Sequence, residues 1–111
     1  MNRQLGQLRP AALTAASIVS SDSPWRVDSI IVTNTGPTAA TFTVYHDADG
    51  STYSTATAIA YNILVNVGAV YQLEFQNGLW NTNRLGNLAI QASKVDTLTF
   101  TVYGEIQGER I

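Results

Sequence analysis

His46 is the single histidine of the chain, with Asp47 beside it and Asp49 two residues further on. An imidazole among carboxylates is raw material for a general base or a metal site. Either chemistry needs the side chains to converge, and neighbours on an extended strand point to opposite faces, so His46 and Asp47 diverge unless a turn folds them together. The run DADGSTYSTATA invites a calcium reading. Counted from Asp47, however, the sixth position is Thr52 and the twelfth Ala58, where a helix-loop-helix calcium loop needs glycine and a bidentate glutamate. Serine is plentiful, yet no Gly-x-Ser-x-Gly elbow occurs. Of the carboxylates only Asp47 and Asp49 lie close in sequence, and they sit in a turn, a poor basis for the paired acids of glycoside hydrolysis. The reading is non-enzymatic, with no catalytic residue, no metal ligand set and no cofactor.

Binding is a different question. Trp25, Trp80, Tyr53 and Tyr61, with the amide-rich stretch around Asn77, Asn81, Asn83 and Asn87, hold the ingredients of a sugar platform: flat apolar rings and directed hydrogen-bonding groups. The contacts such a site would use are Trp25, Trp80, Asn81 and Asn83. The plainer reading has Trp25 covering one end of the core and Trp80 anchoring a loop, and aromatic enrichment at buried surfaces favours it.

The elements that must position these groups are strands. At 111 residues the chain fits one domain, which on folding buries roughly 65% of its extended surface. Charged residues are 13% of the sequence against about 25% in an average soluble domain, so the solvent-facing positions fall to Thr, Ser, Asn, Gln and Ala. With a net charge of −2 and Lys94 as its one lysine, the chain cannot neutralise a row of phosphates, which excludes nucleic acid as a partner, and it has no charge to steer it to a membrane surface. The absence of cysteine removes disulfides and thiolate chemistry. Gln4, Gln7, Arg9 and Pro10 interrupt any apolar leader, and the chain reads as soluble.

Residues 1–12 read as an extended arm, because Pro10 restricts Arg9, Gly6 loosens the chain and no apolar period survives. Residues 13–111 form the domain. Short strands are predicted at Ala15–Ser20, in WRVDSIIVTN, in TFTVYH, in STYSTATAIAY, in NILVNV, in VYQLEF, in LAIQAS and in TLTFTVYGEI, with Asp47–Gly50 as a hairpin turn and QNGLWNTNRLGN as a long loop. In the last strand Leu98, Phe100, Val102, Gly104 and Ile106 face in, while Thr97, Thr99, Thr101, Tyr103 and Glu105 face out. Seven or eight strands with regular turns and no helical period predict an all-β fold, a small antiparallel β-sandwich of jelly-roll or Greek-key type. TFTVY occurs twice, at Thr41–Tyr45 and Thr99–Tyr103, but the flanks share nothing. The pentapeptide is strand vocabulary used at two half-buried positions, not a duplicated domain.

Such sheets end in edges, which monomers blunt with lysine or proline. This chain has one lysine and three prolines, none of them inside a predicted strand, so its edges are predicted to end against another subunit. Tyr45, Leu64, Val70 and Tyr103 are the interface candidates, and the arm, through Arg3, Leu5, Leu8 and Arg9, is a candidate for a partner's groove. The stretches LGQLRPAALTAASIVSS, SIIVTNTGPTAATFTVYHDADGSTY and LAIQASKVDTLTFTVYGEI resemble a group of small virion proteins of tailed bacteriophages. The likeness lies in the style of strands and turns, over nearly the whole chain. It implies a virion structural protein: a capsid decoration or cement protein, a homotrimer on the outer shell bound to the major capsid protein or another virion protein, or alternatively a tail module that recognises a host glycan. It carries over no catalytic residue.

Overall fold

The structure is a computed structural model, and it describes residues 3–20, 23–82 and 86–106. Eight strands follow in order: β1 Arg3–Leu8, β2 Ala16–Ser20, β3 Trp25–Asn34, β4 Ala40–Asp47, β5 Ala58–Val65, β6 Val70–Asn81, β7 Asn87–Ala92 and β8 Leu98–Ile106. No helix forms among the described residues. Sheet I has the strand order β1-β8-β3-β6 and sheet II the order β2-β7-β4-β5. The ladders are antiparallel and nested: β1 pairs with β8, β2 with β7, β3 with β6 and β4 with β5. That nesting is one long hairpin rolled up, closed into two sheets by the β3·β8 and β4·β7 ladders. It defines the eight-stranded jelly roll.

The core lies between the sheets, where alternation along each strand delivers one apolar side chain in two. Val27, Ile30 and Val32 of β3, Leu88 and Ile90 of β7, and Leu98, Phe100 and Val102 of β8 are all fully buried. The TFTVY echo resolves here. One copy lies in β4, in the middle of sheet II, and the other in β8, in the middle of sheet I, and their phenylalanines meet across the core: the rings of Phe42 and Phe100 are 5.8 Å apart at 79°. An edge-to-face pair of this kind adds about 0.5–1.5 kcal/mol beyond the area it buries.

Four sequence expectations are corrected. Residues 3–8 are not a free arm: they form the edge strand of sheet I, with Arg3 opposite Gly104 and Leu8 opposite Phe100, and Leu5 and Leu8 packed on the core. A bulge between Gln4 and Gly6 stretches the in-out spacing to three, which hides the alternation. The boundary at residue 12 therefore does not separate an arm from a sandwich. The two strands expected at STYSTATAIAY and NILVNV are one strand, β5, in which Asn62 takes φ 49° at a bulge. β6 runs six residues into the expected loop, to Asn81, by crossing a bulge where Asn77 and Gly78 take φ 67° and 80°. Thr97 is buried rather than exposed, because the turn at Thr35–Gly36 lies over it and the amide of Thr35 donates to its carbonyl at 2.9 Å.

Candidate interaction surfaces

The groups that could have done chemistry are occupied in holding the fold. The β4–β5 turn wraps back on Asp47, whose carboxylate accepts the backbone N–H of Thr52 at 2.8 Å and of Asp49 at 3.3 Å. The Thr52 amide is the main cause that holds the Asp47 carboxyl below the usual carboxylate range. His46 turns away from that turn. Its Nε2 is 2.9 Å from Oδ1 of Asn81, and its ring packs 5.4 Å from that of Trp25. Among the described residues no cluster of His, Asp and Glu has metal-binding geometry.

The sugar-platform residues separate. Trp25 is a core residue, 1% exposed, with its indole N–H buried and unpartnered, and Asn81 is buried as well. Asn83 lies outside the described residues. Of the other loop amides, Asn87 is spent on the scaffold, donating to the carbonyl of Gly50 at 2.7 Å and accepting from Ser17 at 2.9 Å, whereas Asn77 is exposed and its backbone carbonyl accepts the Trp80 indole N–H at 2.9 Å. Of the two tryptophans Trp80 stands open, 54% exposed, with the Arg26 guanidinium 5.4 Å from its ring, while the exposed Tyr61 lies on the other sheet. Pro24, Trp25, Arg26, Trp80 and Glu105 line a cleft of about 180 Å³ there. Arg26 is held by Asp28 at 3.0 Å and Glu105 at 3.6 Å, and Gly78 leaves the space its stem fills.

The proposed arm contacts are likewise internal. Leu5 and Leu8 face the core, and Arg9 donates to the Asp96 carbonyl while the Asp96 amide donates to that of Pro10 at 2.8 Å. Arg3 stands at the start of β1, opposite Gly104. These ties fix the N-terminal segment to the sandwich as an edge strand.

The interface candidates divide by sheet. Leu64 and Val70 are 58% and 62% exposed, Leu64 on the outer face of sheet II and Val70 at the edge of sheet I. Tyr45 lies on the outer side of sheet II but is only 7% exposed, covered by Tyr53 and tied by its hydroxyl to Gln91 at 2.6 Å, and Tyr103 on sheet I is half-buried. Around Leu64 the structure reveals more than the sequence suggested. Ile59 and Tyr61 are exposed on the same strand, and Thr41, Thr43, Tyr45, Tyr61, Asn62 and Gln91 line a groove of about 220 Å³. Alternation in AIAYNILV carries a signal for Ile59 and Tyr61, but the bulge at Asn62 breaks it.

The same jelly roll occurs in virus particles. A chain of the crystal structure of the T13 IBDV viral particle superposes with a TM-score of 0.52 over 97% of this chain at 14% identity, and a chain of the structure of the infectious bursal disease virus Gx strain with 0.50 over 96% at 10%. This chain spans about a third of the length of each, 31% and 37% respectively. At such identity the likeness is one of fold. No protein-family model matches the sequence. No curated protein matches it either.

Proposed function

We propose that this chain is a non-enzymatic virion structural protein, of the capsid decoration or cement kind, that works as a homo-oligomer on the outer shell and binds the major capsid protein or another virion protein. The observation that carries this reading is the complete jelly roll, matched over 97% of the chain by a chain of a virus particle. Two features support it: the polar groups that could have served catalysis are engaged in the scaffold, and one sheet presents an uncharged outer face with exposed Ile59, Tyr61 and Leu64. The resemblance of the sequence to small tailed-phage virion proteins points the same way.

Mass spectrometry of purified particles, joined to cryo-electron microscopy, tests it. The expected result is a high copy number and eight-stranded density repeated over the shell. Absence from particles, or a location confined to the tail tip, overturns it. The exposed indole face of Trp80 favours one second reading, a tail module for host glycans. Glycan-array binding abolished by Trp80→Ala would select that reading.

A further inference from the structure

We propose that the outer face of sheet II is the docking site for a second copy of this chain, the two related by a twofold axis. This deepens the homo-oligomer part of the reading above and does not depend on where in a virion the protein sits.

Charge is the first argument. The strands of sheet II carry one charged residue, Asp47, at the end of β4, and no residue from Gly50 to Leu73 is charged. Two copies of a neutral face meet without Coulomb repulsion, whereas a charged partner gains nothing from it.

The second argument is desolvation. The Tyr45 hydroxyl donates to Oε1 of Gln91 at 2.6 Å, Nε2 of Gln91 donates to the Leu13 carbonyl at 2.8 Å, the Asn62 amide donates to Thr43 Oγ1 at 3.2 Å, and the Thr41 amide donates to Ser93 Oγ at 2.8 Å. These groups, the backbone N–H of Asn62 among them, are already paired and are not stranded when a surface covers them, and the Tyr61 hydroxyl and the Asn62 side chain are left to bond across the contact.

Shape names the occupant. Leu64, the knob, stands opposite Thr41 in the register, and Thr41 lines the groove, so knob and groove lie side by side on one face. A twofold axis puts each copy's Leu64 against the other's groove, which is the reciprocity of an isologous interface. Contacts made by one shared patch close at two subunits, so the trimer expected from the sequence does not arise from this face. Four strands about 4.8 Å apart and five to eight residues long present on the order of 400 Å² in projection, more when corrugated by side chains. Two copies together bury on the order of 800 Å² in projection, more with side-chain corrugation, the size of a weak, concentration-dependent association.

Sedimentation of the full chain over a concentration series, with Leu64→Lys, Leu64→Met and Val70→Lys, tests this. Val70 is the control, equally exposed but at the edge of the other sheet. The expected result is a dimer whose dissociation constant rises at least ~10-fold in Leu64→Lys, since the twofold axis buries an unpaired charge from each copy, and is unchanged in the other two variants. Hydrogen exchange of the unaltered chain gives a readout independent of variant folding: protection of Ala58–Val65 that grows with concentration, with none gained over residues 70–76. A monomer at every concentration, a trimer, a Val70→Lys effect as large as that of Leu64→Lys, or protection confined to β6 overturns the proposal. Because the measurement uses purified protein, its failure would leave the virion reading standing, and absence from particles would leave the dimer standing.

Discussion

The two sheets use the same pentapeptide at their centres and differ on the side that faces away from the core. Phe42 and Val44 of sheet II match Phe100 and Val102 of sheet I in being fully buried. On the outer side Thr43 and Tyr45 are buried, whereas Thr101 and Tyr103 are half-exposed. Charge divides the same way: the strands of sheet I hold Arg3, Arg26, Asp28, Glu74 and Glu105, and those of sheet II hold Asp47 alone. The inner faces answer to one shared core, so they converge on one vocabulary. The outer faces answer to what lies outside: both edge strands expose apolar side chains, Val70 and Trp80 on β6 and Tyr61 and Leu64 on β5, but only sheet I mixes them with charge.

The shared half of that comparison breaks most visibly at the phenylalanines. Phe42→Ala and Phe100→Ala are each expected to cost ~3–5 kcal/mol in urea unfolding, since both leave a cavity at the same central contact. Thr99→Ala, on the outer side of β8, is expected to cost a few tenths. If Phe42→Ala proved much cheaper than Phe100→Ala, the two strands would not be equivalent halves of one core.

The edges give the next largest effect. Removing residues 1–10 strips Leu5 and Leu8 from the core and leaves β8 as the new edge, so the shortened chain is expected to lose ~2–4 kcal/mol and to melt lower. An unchanged melting temperature would return this segment to the status of an arm. The centre of sheet I is sharpened by Gly104, where an added Cβ would meet the backbone carbonyl of Arg26 in the neighbouring strand. Gly104→Ala is expected to cost ~1–3 kcal/mol, since two paired strands must part to admit one methyl group.

Legibility in the sequence follows from the same physics. Strands with unbroken alternation, such as those containing Ile30 and Val32 or Phe100 and Val102, were readable with their faces, because period two is the direct mark of a half-buried strand. Bulges erased β1, split β5 and shortened β6, since each extra residue reverses the pattern midway. Leu64 and Val70 were legible as exposed apolar residues, but not that they belong to different sheets, which depends on strand order. The low total charge was plain in the composition. That the strand charges other than Asp47 fall on sheet I was not, because sheet I gathers strands from both ends of the chain.

The smallest expected effect concerns Asp47, the one charge in the strands of sheet II. Its carboxylate is turned into the β4–β5 turn, where the Thr52 and Asp49 amides hold its pKa below the usual carboxylate range. The folded state therefore releases this proton at lower pH than the unfolded state does. Its contribution to stability is fully present above the unfolded-state pKa and is lost as pH falls through the folded-state value. Asp47→Asn keeps an oxygen that can accept one of the two amides but carries no charge to titrate, so the variant is expected to melt slightly lower at neutral pH and to show a shallower acid limb. Urea midpoints measured for both proteins from neutral pH down through the carboxylate range decide it. Parallel curves would mean that the turn is held by its backbone geometry and by Thr57, whose hydroxyl donates to the Thr52 carbonyl at 2.8 Å, and that the lone charge of sheet II is structurally idle.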